Sequence, residues 1–168
     1  GSREFDLVRR DADGNVTNSV VQLLTRPNPD PALNIDQEFL LARVLRKHPN
    51  IIGIGEMRAA GEAMAACQAA MTSHTVISTI HASSAVGCYD RMMVLAKSRS
   101  DLSEGMLMRL MVEAFPIAIY VKQLEDGSRR IMEVIHAEQY DKVSETVKYN
   151  TLFQYRIEDN IKDPDGNI

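Results

Sequence analysis

The chain predicts an α/β fold whose central, mostly parallel sheet carries antiparallel hairpins at its edges. Two apolar, β-type runs predict the sheet: Ile51 to Gly55 and the β-branched stretch Thr75 to Ile80. The helix-favouring segment Ala59 to Met71 lies between them. Strand, helix, strand in that order makes neighbouring parallel strands, because the helix supplies the crossover. Turn signals near both ends of the chain add the hairpins.

Each element has a local reason. Residues 3–10 (REFDLVRR) alternate apolar and polar and run into the turn Asp11-Ala12-Asp13-Gly14-Asn15. Asn18 to Thr25 then reads as a second strand, closing a hairpin. Arg26 to Pro31 is a proline-rich loop. Asn34 to Lys47 reads as a helix, with Asn34 as cap, Gln37 at the capping-box position and Leu40, Leu41, Val44 and Leu45 at helical spacing. Pro49 stops it. Ile51 to Gly55 has so little polarity that it is expected to be buried and central. Ser83 to Ala96 and Ser103 to Phe115 read as helices, the second capped by Ser103. Pro116 to Leu124, Arg129 to Tyr140 and Val143 to Phe153 read as strands, the first two joined at the turn Glu125-Asp126-Gly127-Ser128. The expected organisation is one domain over residues 3–156, a polar tail over 157–168, and a cloning scar at Gly1-Ser2.

Bulk properties narrow the function. The 168 residues are 45% hydrophobic and 25% charged, with a net charge of −4. That is an ordinary globular balance with no basic run to hold nucleic acid. No apolar stretch reaches the roughly 20 residues of a membrane span. Cys67 and Cys88 read as small buried apolar side chains, since no C-x-x-C spacing occurs. Asp11 to Asn15 begins like a calcium loop, but Val16 stands where its glycine belongs and Pro27 where its glutamate belongs. It reads as a turn, as does Asp163-Pro164-Asp165-Gly166.

The chemistry concentrates between Leu45 and Arg91. Ligands of open parallel sheets sit beyond the carboxyl ends of the strands. Glu56 follows the first run and His81 follows the second, with Arg58 just behind the acid. His74 precedes the second run, so about 3.3 Å per residue puts the two histidines roughly 20 Å apart. That distance argues against one metal shared by both. A metal-dependent hydrolase using His74, His81 and Glu56 is nonetheless one alternative, and a non-catalytic assembly module is another.

The order of these pieces resembles the C-terminal half of the bacterial type II/type IV secretion ATPases, which include tight-adherence pilus and conjugation motors. Gly55-Glu56-Met57-Arg58 resembles their Walker B segment, G-E-hydrophobic-R, and Leu45 to Asn50 the L-R-x-x-P-D approach to it. Glu62-Ala63 through Thr72-Ser73-His74 is similar to the helix that follows. Thr72-Ser73-His74, Thr79 and His81-Ala82 resemble the histidine box T-G-H-x(4)-T-x-H-A-N. Asp126 to Val134 resembles the hairpin D-G-x-R-R-[IV]-x-E-[IV], most of all in the tight-adherence branch. Ser73, Ser83 and Asn50 depart from the family's glycine, asparagine and aspartate. No G-x-x-x-x-G-K-[ST] loop occurs in the sequence.

The resemblance implies a RecA-like ATPase domain without its phosphate cradle. It implies ATP and Mg²⁺ as ligands. Glu56 would hold Mg²⁺ through water or orient the attacking water, and Glu4 would be the last residue of an acidic box. Arg58 would brace the Walker B turn. His74, His81 and Thr79 would sense the γ-phosphate, and Arg91 and Arg26 would sit at subunit boundaries. It further implies a homo-hexamer, cytoplasmic and peripheral at the inner membrane, docked on a platform protein and moving pilin or cargo. Lacking the P-loop, the chain alone is expected to bind ATP weakly and not to hydrolyse it.

Overall fold

The structure is a computed structural model that describes residues 7–156. Its element order is α1 (Gln37–Val44), β1 (Ile51–Ile54), α2 (Ala60–Met71), β2 (Thr75–Ser78), α3 (Gly87–Lys97), α4 (Glu104–Ala114), β3 (Ile117–Gln123), β4 (Arg129–Asp141) and β5 (Thr146–Gln154), with 3-10 turns at Pro31–Leu33 and Leu45–Lys47. The strands make two sheets. β1 and β2 are a parallel pair, and β3-β4-β5 form an antiparallel meander. The architecture is thus mixed α/β, but the expected mostly parallel central sheet is not what forms among the described residues. The parallel part is the smaller, and the hairpins build a sheet of their own.

Helix α2 is the hub. Its alanines Ala63, Ala66 and Ala69 are fully buried and Cys67 nearly so. Small side chains at that spacing let neighbouring helices approach closely, and α2 packs on α1, α3, α4 and β2. Tyr89 and Met92 of α3, Leu107 and Met111 of α4 and Ile135 of β4 complete the core. The Tyr89 hydroxyl is not left unsatisfied, since it donates to the Phe115 carbonyl at 2.6 Å. The cysteines are free, and burial pushes both thiols up to about 12, which leaves them inert.

The amino-terminal reading needs correction. Asp11 to Asn15 is a turn, with the Asp11 carboxylate accepting from the N–H groups of Asp13 and Asn15. Gly14 supplies the positive φ of 85° there. A single antiparallel bridge, Arg10 to Val16, follows from it, and Asn18 to Thr25 forms no strand. Alternation makes a strand only where a neighbour accepts its ladder, and this segment has none among the described residues. The first helix is shorter than expected and capped by Asp36, which accepts from Phe39 N–H at 2.8 Å. Asn34 instead accepts from Asn28 N–H at 3.2 Å. Nor is β1 buried on both faces. Ile52 and Ile54 face the helices, while Ile51 and its neighbour Ile77 are 62% and 55% exposed.

The remaining elements follow their local signals. Ser103 caps α4 by accepting from Met106 N–H, and Gly127 takes a φ of 79° in the β3–β4 turn. One face of the meander packs on α4 through Ala118, Ile135 and Ala137. Ile117, Ile119, Val121, Ile131 and Phe153 are half exposed on the other face.

Candidate functional site at the carboxyl ends of β1 and β2

The pairing of β1 with β2 runs from Ile51 opposite Thr75 to Ile54 opposite Ser78. This register brings the residues that follow each strand to one rim. Thr79 ties the two exits together. Its hydroxyl donates to the Gly55 carbonyl at 2.6 Å, and its carbonyl accepts from Met57 N–H at 2.9 Å. Glu56 is therefore held between two fixed backbone points, and the Met57 side chain is buried beneath it.

The Glu56 carboxylate is 14% exposed and has both oxygens engaged. Oε2 accepts from the Arg58 guanidinium at 2.5 Å, and His81 Nε2 lies 3.2 Å from Oε1. The hydrogen bond from Arg58 is the main cause that holds the Glu56 carboxyl below its ordinary pKa, with the charges of Arg58 and His81 adding to it against a desolvation that raises it. At neutral pH this residue is an anion with the Arg58 guanidinium on one oxygen and the His81 imidazole beside the other. An open cleft in front of it is lined by Glu56, Met57, Arg58, His81 and Arg91. Arg91 comes from α3, and its guanidinium makes no hydrogen bond or ion pair among the described residues. The cleft thus offers one oriented carboxylate and a free guanidinium, a set suited to an anionic ligand that brings its own cation.

The other sequence candidates separate from this group. His74 lies at the amino end of β2, where its Nδ1 is 3.3 Å from the Thr72 hydroxyl. It is at the opposite edge of the parallel pair from His81, as the strand length required. Arg26 pairs through its backbone with Ile35 and is not among the residues lining the cleft. Glu4 lies outside the described residues.

Two acids that lie in the family-like motifs, but to which the sequence assigned no role, are built into the frame. Glu62, on the first turn of α2, accepts from the N–H groups of Arg58 at 2.7 Å and Ala59 at 2.9 Å. Glu133 of β4 accepts from the buried Ala85 N–H at 3.2 Å, in the segment that leads from His81 to α3. The spacing of Glu62 could have indicated a capping role, since a Glu at the third helical position reaches back to the cap. Glu133 reaches across 48 residues, and no local pattern carries that.

Fold and site together define an α/β protein whose parallel strands present an acid and an imidazole at their carboxyl ends. Residues 13–116 match the family described as type II/IV secretion system protein, and the chain belongs to that family. It is 34% identical over 79 residues to the protein transport protein HofB homolog of Haemophilus influenzae, a match covering 47% of this chain and 17% of that protein. It is 39% identical over 72 residues to the competence protein ComGA of Streptococcus pneumoniae, covering 43% and 23%. For type II secretion system protein E of Pseudomonas aeruginosa the figures are 37% over 75 residues, 44% and 15%. Among solved structures it is similar to the Legionella pneumophila ATPase DotB, with a TM-score of 0.50 and 26% identity over 63% of this chain and 28% of that one. The matched regions thus span between 15% and 28% of these relatives' lengths. No helix among the described residues is long and apolar enough to cross a membrane.

Proposed function

We propose that residues 3–156 are the C-terminal, RecA-like part of a hexameric ATPase that powers type II/IV secretion or pilus assembly, with Glu56 as its Walker B acid. The observation that carries this reading is the contact between Glu56 and His81 at the shared carboxyl rim of two parallel strands. Family membership and the likeness to an ATPase structure support it.

In this reading the terminal phosphate of ATP enters the cleft in front of Glu56. Arg58 keeps the acid ionised and aimed, so that it can orient a water for attack. Arg91 offers its guanidinium to phosphate oxygens. His81 touches the acid from the side, so a ligand that draws the imidazole away reports through the segment toward α3. His74, across the pair, is outside this cleft, and the sensing role is proposed for His81. Thr79 contributes by fixing the Gly55–Met57 turn. Glu4 remains proposed as the end of an acidic box, and Arg26 as a subunit contact.

The donor set fits Mg²⁺ and does not fit zinc. Mg²⁺ keeps its waters and takes one or two carboxylates plus substrate phosphates, and Glu56 is such a carboxylate. Among the described residues no group of three His, Cys, Asp or Glu could hold a metal by themselves. The hydrolase alternative, which needs His74 and His81 together, therefore has no ligand set. Bound with the nucleotide, Mg²⁺ would neutralise charge on the β- and γ-phosphates.

The whole protein would be a ring on the cytoplasmic side of the inner membrane, coupled to a platform protein. The test is ATP turnover by a chain extended upstream through a strand and P-loop. Glu56→Gln should lower it by roughly 100-fold or more while nucleotide still binds. Turnover unaffected by that substitution, or an upstream sequence without a P-loop, would overturn the reading.

A further inference from the structure

We infer that Glu38 and Arg99 form a releasable strap that binds α1 to the end of α3, and that position 61 is glycine because the strap lies across it. Helix α2 is otherwise rich in alanine, and a glycine in its first turn forgoes the helix propensity that alanine would supply. Gly61 is not among the residues with positive φ, so its backbone makes no demand for glycine. Its surroundings do. A Cβ at Gly61 would overlap the Glu38 carboxylate and stand 2.9 Å from Arg99 Nη1. Those two groups are the ion pair itself, with Arg99 Nη1 donating to Glu38 Oε2 at 2.9 Å.

The strap joins segments 61 residues apart. Glu38 lies in the first turn of α1, and Arg99 follows Ser98, the cap of α3. The Arg99 backbone is fixed there, since its N–H donates to the Ala96 carbonyl at 3.1 Å. The Glu38 carboxylate sits by the amino ends of both α1 and α2, where helix dipoles favour an anion. Helix α1 is otherwise lightly held. Leu41 is its one buried residue, and apart from the 3-10 turn that continues it, α1 packs mainly on α2. Arg99 and Glu38 are 63% and 48% exposed, so water and salt reach the pair. Exposed ion pairs are weak and screened, which makes this a tie that opens without unfolding the core. Helix α1 leads into β1 and so toward Glu56, while α3 brings Arg91 to the same cleft. The strap links the entrance of the one to the exit of the other. None of these contacts depends on the nucleotide reading of the cleft.

Hydrogen exchange on the chain as it stands, followed in α1 from Leu41 to Leu45 and in α2 from Ala66 to Ala69, tests the strap. Between about 0.1 M and about 1 M salt the screening length falls from about 10 Å to about 3 Å. Over that range α1 protection should fall about two- to fivefold, the size of an exposed ion pair, while α2 stays unchanged. Gly61→Ala should show α1 at the lowered level already in the weaker salt, with no further response. Its melting temperature should not fall, because the displaced groups are the ends of flexible exposed side chains and alanine favours the helix. Arg99→Gln should match it in α1. The two together should loosen α1 no more than either alone, since they remove one contact. Unchanged α1 exchange in Gly61→Ala, effects that multiply in the double variant, or equal loosening of α1 and α2 would overturn the inference. Arg99→Gln changes no residue of α2, so its exchange and salt response decide the matter even where Gly61→Ala fails to fold.

Discussion

Ser73 shows how a single residue can carry the cost of a family departure. It follows the last turn of α2 with φ at 69°, in the left-handed region where a side chain crowds the backbone. The motif that this segment resembles has glycine there, and the geometry gives the reason. Ser73→Gly should stabilise the chain by about 0.5–1 kcal/mol, part of the relief being offset by glycine's greater freedom when unfolded. A urea unfolding midpoint that rises without a change of slope would show it. Asp141 makes a second residue-scale case. A hydrogen bond from Lys148 is the main cause that holds its carboxyl down at about 2, helped by the Val143 N–H. A depressed carboxylate stabilises the fold above its ordinary value of 3.8, and that contribution is lost as pH falls toward 2. Asp141→Asn should therefore flatten the stability profile across that window, as followed by denaturant melts between pH 4.5 and 2 (roughly the carboxylate range).

At the scale of elements, legibility follows the range of the interaction. The cap at Ser103, the Asp126-Gly127 turn and the helix-favouring run of α2 were readable because each depends on residues a few positions apart. The strand expected over Asn18 to Thr25 was not, because its alternation says nothing about whether a neighbour exists. Asn34 was misread for a related reason. It and Asp36 are both competent caps, and only the loop's return to Asn28 decides between them. For the site, a shared rim for Glu56 and His81 could be expected from two adjacent parallel strands, and so could the distance of His74. The clamps could not. Glu133 joins the antiparallel meander to the segment after His81, and the N–H that it serves belongs to Ala85, only 2% exposed. Glu133→Ala should cost about 1–3 kcal/mol, the penalty for orphaning a buried donor. Hydrogen exchange should rise at Ala85 before it rises in α4, whereas a uniform rise would mean global loosening alone.

For the molecule as a whole, the separation into two sheets matters more than any one contact. Parallel strands are normally covered on both faces. Here the helices cover one face of β1–β2 and leave Ile51 and Ile77 open on the other. Ile51 to Gly55 was expected to be buried on both sides because it lacks polarity, yet among the described residues only the face of Ile52 and Ile54 is covered. The meander likewise shows half-exposed Ile117, Ile119, Val121, Ile131 and Phe153 on its outer face. Contiguous apolar surface of this kind promotes association. Ile51→Thr with Ile77→Thr keeps β-branched residues in the strands while adding hydroxyls. The pair should reduce self-association in sedimentation velocity and leave the circular dichroism spectrum unchanged. Aggregation undiminished in that variant would assign the stickiness to the meander instead.

The open isoleucines also decide how this chain can be studied. An environment-sensitive dye should find hydrophobic patches on it before any heating, so fluorescence in a thermal-shift assay should start high and rise little. A flat trace would then look like an unfolded sample although the helices are intact. Melting is better followed by far-UV circular dichroism, which reports the helices themselves, with the dye kept to count what the native surface leaves uncovered.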